Sequence, residues 1–240
     1  MTYIEYCNTN YIELLELPSS LEELYCYDNP LLKELPKLPP SLLKLDCNRI
    51  PLLNSLPELP HNLIRLSCNN NPLIITLPEL PSSLQYLYCD NNLLLERLPK
   101  LTYILEIICC KNNPLIITLP ELPSSLKELY CSYNPLLTEL PELPSNLKNL
   151  FCANNKLLTK LPELPSSLEE LYCYNNPLLT TLPRSIIYCK NIIYDYNNNN
   201  NNYKKYNDLK YLNSLPYLVN KKIEYYYYKV IINYYNKIYL

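Results

Sequence analysis

Cysteine is the residue of this chain whose spacing first invites chemistry. Eleven cysteines occur in 240 residues, and eight of them, Cys26, Cys47, Cys68, Cys89, Cys110, Cys131, Cys152 and Cys173, recur every 21 residues. Thiols at a fixed period could bridge, hold a metal or act as nucleophiles. Neighbouring parallel strands lie about 4.8 Å apart, within the Cα separation a disulfide tolerates, but equivalent residues on them point the same way, which suits packing better than bridging. A zinc site asks for pairs such as Cys-x-x-Cys with histidine. The cysteines here sit singly, and the one histidine, His61, stands where other units carry Ser. A chain with no glycine has no phosphate-cradling Gly loop, and no nucleophile–base constellation is visible. What remains is Cys as a small hydrophobe, forming a structural ladder. Cys109, beside Cys110, is the exception: it is expected to face outward, where its thiol is open to oxidation, although an incidental placement is favoured over a redox role.

The second chemistry is recognition. The position before each periodic Cys holds Tyr25, Asp46, Ser67, Tyr88, Cys109, Tyr130, Phe151 and Tyr172. Tyr130, Phe151 and Tyr172 fall in consecutive units, and Tyr27, Tyr133 and Tyr174 follow further along theirs. Tyr is favoured in interface hot spots because it brings large, rigid area with a polar tip. The competing explanation is composition: the chain has 26 Tyr, and Tyr is a good strand former. The candidate protein-binding residues are Tyr25, Tyr27, Tyr88, Tyr130, Tyr133, Phe151, Tyr172 and Tyr174. Glu79, Glu121, Glu142 and Glu163 read as a solvated face.

The elements that must position these residues follow from the template L-x-x-L-x-C-x-x-N-P-L-L-x-x-L-P-x-L-P-S-S, which runs from Leu17 to about Pro183. A period of about 20–50 residues marks a repeat architecture. Alternation around Leu-x-Cys is that of a short strand: in Leu24-Tyr25-Cys26 the Leu and Cys point inward and the Tyr outward. Two prolines per unit suit an extended or polyproline-like return leg. The turn between strand and leg falls on Asn29, Asn71, Asn92, Asn113, Asn134, Asn155 and Asn176. Asn is the residue after Gly that best tolerates left-handed backbone, and these amides are expected to be buried and bonded to the backbone of adjacent coils. Ile50 breaks the row. One unit cannot bury its apolar face alone, so stability must come from stacking.

Residues 1–16 read as a partial N-terminal repeat in which Cys7 and Asn10 keep the Cys-x-x-Asn spacing; 17–184 contain eight 21-residue units. Residues 185–240 form a Tyr/Asn/Lys-rich tail: Ser185 to Cys189 resembles a shortened unit, six Asn run from Asn197 to Asn202, and Val219, Ile223, Tyr227, Val230, Tyr234 and Ile238 recur with helical spacing. A capping helix is expected there, with a disordered tail as the alternative. Charge divides the same way: 13 basic against 20 acidic residues in 1–184, and 8 against 3 in 185–240. No signal-peptide layout or apolar run long enough to span a membrane is present, and with unpaired cysteines the expected location is cytoplasmic.

The Leu-x-x-Leu-x-Cys-x-x-Asn segments resemble those of the leucine-rich repeat (LRR) family, with Cys in a slot usually aliphatic. The Leu161-Pro162-Glu163-Leu164-Pro165 leg is similar to the short bacterial class of secreted effectors, although each unit here is one residue longer. The Asn/Tyr/Lys/Ile bias resembles proteins of amoebal protists and giant DNA viruses. The resemblance implies an α/β-type repeat solenoid, mostly strand plus extended legs, curved into a horseshoe with a parallel β-sheet on its concave face. It also implies a non-catalytic scaffold for an unidentified protein partner, a host protein if the chain is viral or effector-like. Effectors of this class can carry a C-terminal ubiquitin-ligase domain with a catalytic Cys; the 56 residues after Arg184 are too few for one, and Cys189 lacks a nearby acidic partner. Neither a cofactor nor nucleic acid is expected. The alternative function is a structural, self-associating module driven by the Tyr-rich tail.

Overall fold

A 21-residue unit with one short apolar strand can return to register only by coiling, and the chain does so in the computed structural model, which describes residues 2–189 and 191–193. The strands are β1 (Tyr3–Glu5), β2 (Glu23–Tyr25), β3 (Lys44–Asp46), β4 (Arg65–Ser67), β5 (Tyr86–Tyr88), β6 (Ile107–Cys109), β7 (Glu128–Tyr130), β8 (Asn149–Phe151), β9 (Glu170–Tyr172) and β10 (Asn191–Ile193). They form one parallel sheet in sequence order. A 3-10 turn at Arg184–Tyr188 precedes β10. The architecture is the expected strand-plus-extended-leg solenoid.

Each coil turns two corners. At one, the amide of the unit's first Leu donates to the Pro carbonyl three residues earlier, as in Leu126 to Pro123 (3.1 Å). At the other, the buried Leu of the leg donates to the Asn carbonyl, as in Leu137 to Asn134 (3.0 Å). Between the corners the Leu and Cys side chains converge on one continuous core, in which all eight periodic cysteines are buried.

The buried asparagines staple neighbouring coils. Asn134 Nδ2 donates to Cys131 O of its own coil and Cys110 O of the preceding one, both at 3.0 Å, and its Oδ1 accepts from the Asn113 amide at 2.8 Å. Asn71, Asn92, Asn155 and Asn176 repeat the arrangement. These amides are therefore buried and bonded, but they are not the left-handed residues. Positive φ falls one position earlier, at Asp28, Arg49, Asn70, Asn91, Asn112, Tyr133, Asn154 and Asn175. In the third coil Ile50 fills the Asn slot, fully buried, and only its amide joins the ladder, donating to Asn71 Oδ1.

Both ends of the solenoid follow a frame other than that of their cysteines. The register pairs Glu5 with Tyr25, so Tyr6, not Cys7, takes the periodic Cys slot, and its amide donates to Tyr25 O. Thr9, not Asn10, takes the Asn slot, bonding Asn29 Oδ1 through its amide and hydroxyl. At the other end β10 pairs with β9 21 residues on, Asn191 with Glu170. The 21-residue register accordingly continues through Ser185–Cys189 into β10, and Cys189 sits in the slot of a unit's first Leu, half-buried against the core. The segment expected to form a capping helix, Val219 to Ile238, lies outside the described residues.

Candidate protein-binding face

The outward side chains of the strands form rows across the sheet, because a parallel ladder in strict register places equivalent residues side by side. Tyr130, Phe151 and Tyr172 are direct register partners on β7, β8 and β9. Their rings stack: Tyr130 and Phe151 lie 4.6 Å apart at 26°, Phe151 and Tyr172 4.2 Å apart at 11°. With faces turned on one another, the rings show solvent their edges, and all three stay half-buried. Tyr130 is anchored twice more, by its hydroxyl donating to Glu128 Oε2 at 2.8 Å and by Lys111 Nζ lying 5.2 Å from its ring centroid. Burial and the Glu128 carboxylate together push its phenol well above the ordinary range, so the hydroxyl stays neutral, with its one proton donated to Glu128.

The row continues beyond the stack. Cys109 lies between Tyr88 and Tyr130 in register. It faces outward as expected, but it is only 7% exposed, and burial pushes its thiol up to about 12. The expected oxidisable surface thiol is thus a protected one; reactivity needs thiolate and access, and Cys109 has neither. Tyr88, Cys109, Tyr130, Phe151 and Tyr172 then make one apolar band across five strands. Beside it, Ser132 and Ala153 are buried small residues that leave the stack standing proud.

The other candidates are placed differently. Tyr25, on β2, is separated from Tyr88 by Asp46 and Ser67, and its hydroxyl donates to Glu23 Oε2 at 2.6 Å. Tyr27 and Tyr174 follow the Cys of their units, Tyr27 under the Arg49 guanidinium at 5.7 Å. Tyr133 is one residue further along, in the left-handed turn position with φ 63° and 50% exposed, off the sheet. The structure brings together Tyr88, Tyr130, Phe151 and Tyr172, and leaves Tyr25, Tyr27 and Tyr133 outside that band. At the N-terminal half the outward rows are polar, and charges pair between coils: Lys44 with Glu23 at 2.7 Å and Arg49 with Asp28 at 2.5 Å. Arg65 lies over the Tyr88 ring at 4.7 Å.

The Leucine Rich Repeat family model matches residues 125–147 and 167–189, which include Tyr130 and Tyr172. This is a leucine-rich repeat solenoid. Among solved structures, YopM from Yersinia enterocolitica WA-314 is 33% identical with a TM-score of 0.56, covering 77% of this chain. The LRR chain spans about half of that structure (48%). The structure titled as a leucine-rich effector protein YopM from Yersinia pestis is 29% identical, covers 80% of this chain and 77% of its own, and has a TM-score of 0.37. Comparison with curated proteins gives no match. The LRR protein is thus similar to bacterial effectors, and its fold is that of protein-interaction scaffolds. Among the described residues no helix is long and apolar enough to cross a membrane.

Proposed function

We propose that the protein is a non-catalytic scaffold that holds a protein partner on the sheet face, over the band Tyr88, Tyr130, Phe151 and Tyr172, with Tyr174 at its margin. The observation that carries this reading is the three-ring stack on adjacent strands. Pre-stacked rings have already lost their rotamer freedom, so a partner that docks there meets large apolar area at low entropic cost. The rigid parallel sheet beneath keeps that area in place. Buried, protonated thiols argue against cysteine nucleophiles, and their free state accords with a reducing compartment such as the cytoplasm of the cell or of a host.

The test is comparative capture from native cell extract with the full chain, with its Tyr130→Ser/Phe151→Ser/Tyr172→Ser variant, and with a Tyr25→Ser/Tyr27→Ser variant. The proposal expects the protein bound by the wild type to be lost from the first variant and kept by the second, with unchanged circular dichroism in all three. Equal recovery by the folded triple variant overturns it.

A further inference from the structure

Beyond the asparagine corner each coil carries two successive aliphatic residues, and only the second reaches the core. The first, from Leu31 to Leu178 in 21-residue steps, stays 37–47% exposed in every unit. The result is an apolar ridge along the solenoid, separated from the sheet face by the buried asparagine row. At its middle the ridge widens. Ile75 and Ile117, two residues beyond Leu73 and Leu115, are 49% and 55% exposed, and Leu93 replaces the Pro that most units carry. The widened patch spans three adjacent coils: Leu73 with Ile75, Leu93 with Leu94, and Leu115 with Ile117. It is symmetric about the coil of Leu94. The amide of Glu96 donates to Ile75 O at 3.1 Å, and Thr76 bridges to Arg97, so these legs are held side by side.

We propose that this patch is the interface of a two-fold homodimer. A two-fold interface must be self-complementary, and an axis along the Leu94 leg sets Leu73 and Ile75 of one copy against Leu115 and Ile117 of the other. Coils about 4.8 Å apart make ridges and grooves whose period another copy matches along its whole length; an irregular surface matches it at few points. The area suffices. The half-exposed aliphatic residues between Leu52 and Leu136 present on the order of 600 Å² of apolar surface, and the chain between them brings the strip near the roughly 800 Å² per partner of a standard interface. Both sheet faces remain open in such a dimer, so it presents two aromatic bands.

Sedimentation equilibrium of the full chain tests this, run beside the Leu73→Glu/Leu115→Glu variant, whose substitutions fall on exposed positions. The expected result is a dimer for the wild type and a monomer with unchanged circular dichroism for the variant. A second measurement does not depend on the variant's folding: Leu94→Cys lies on the axis and is expected to give a disulfide-linked dimer on mild oxidation, while Leu178→Cys does not. A monomeric wild type at every concentration, or a dimer that persists in the folded glutamate variant, overturns the proposal; so does equal cross-linking at positions 94 and 178.

Discussion

Burial holds the thiols of Cys68 and Cys109 near pKa 12 and lifts those of Cys47, Cys89, Cys110, Cys131 and Cys152 well above their ordinary range. In the unfolded chain the same thiols ionise at about 8.5 to 9. Above that pH the folded protein keeps protons that the unfolded chain has lost, so stability falls as pH rises toward about 12. The slope approaches about 1.4 kcal/mol per pH unit for each buried thiol. Urea unfolding at about pH 8 and about pH 10 is predicted to show a large fall in midpoint at the higher pH. A midpoint that does not move contradicts the burial of the ladder. The asparagines supply the second residue-level expectation. Asn134→Ala removes two donors and one acceptor from a dry site, orphaning the Asn113 amide. The cost is expected to be about 3–5 kcal/mol, at the high end of single-residue effects, read by the same urea titration.

At the scale of the coil, the period and the inward–outward alternation were legible in the sequence because Leu-x-x-Leu-x-Cys can satisfy its burial in only one way. The misread frames have a common origin. Cys7 and Cys189 look like ladder members, but the strand's Leu decides the frame, and Ile4 and Ile192 hold that slot. The left-handed row was hidden for a different reason: Asn precedes Asn in several units, and only backbone geometry shows that the first adopts positive φ while the second is buried. Arg49 and Tyr133 occupy left-handed positions because the next residue must reach the core. The aromatic row could be read from spacing, whereas the sealing of Cys109 depends on cross-strand neighbours that no single unit contains. Ile50 carries a consequence at this scale. Because Ile50 has no side-chain amide, the junction between the coils of β2 and β3 lacks the bonds that the Asn71 side chain supplies one coil on. Amide hydrogen exchange is predicted to be faster in β1 and β2 than in β5 to β8, with the step in protection near residue 50. Uniform protection from β2 to β8 contradicts a weak junction there.

For the molecule as a whole, each coil depends on its neighbours for burial, as in other repeat proteins. Surface charge adds little to that: ion pairs such as Lys160 with Glu139 at 3.6 Å join equivalent positions of adjacent coils in exposed settings, where such pairs contribute about 0–1 kcal/mol. A scaffold stabilised from within can vary its outward rows freely, and this one is largely polar and internally paired at β2 to β4 but carries aromatic rings at β5 and at β7 to β9, with Cys109 between them on β6. The central claim is that the aromatic band is where the partner is held. Its most direct test is calorimetric titration of the captured partner into the wild-type chain, Phe151→Ala and Lys44→Ala. A ring at the centre of the contact is expected to contribute about 2 kcal/mol or more, a loss of roughly 30-fold or greater in affinity for Phe151→Ala, while Lys44→Ala binds as the wild type does. Wild-type affinity in Phe151→Ala, with the loss in Lys44→Ala instead, contradicts the account.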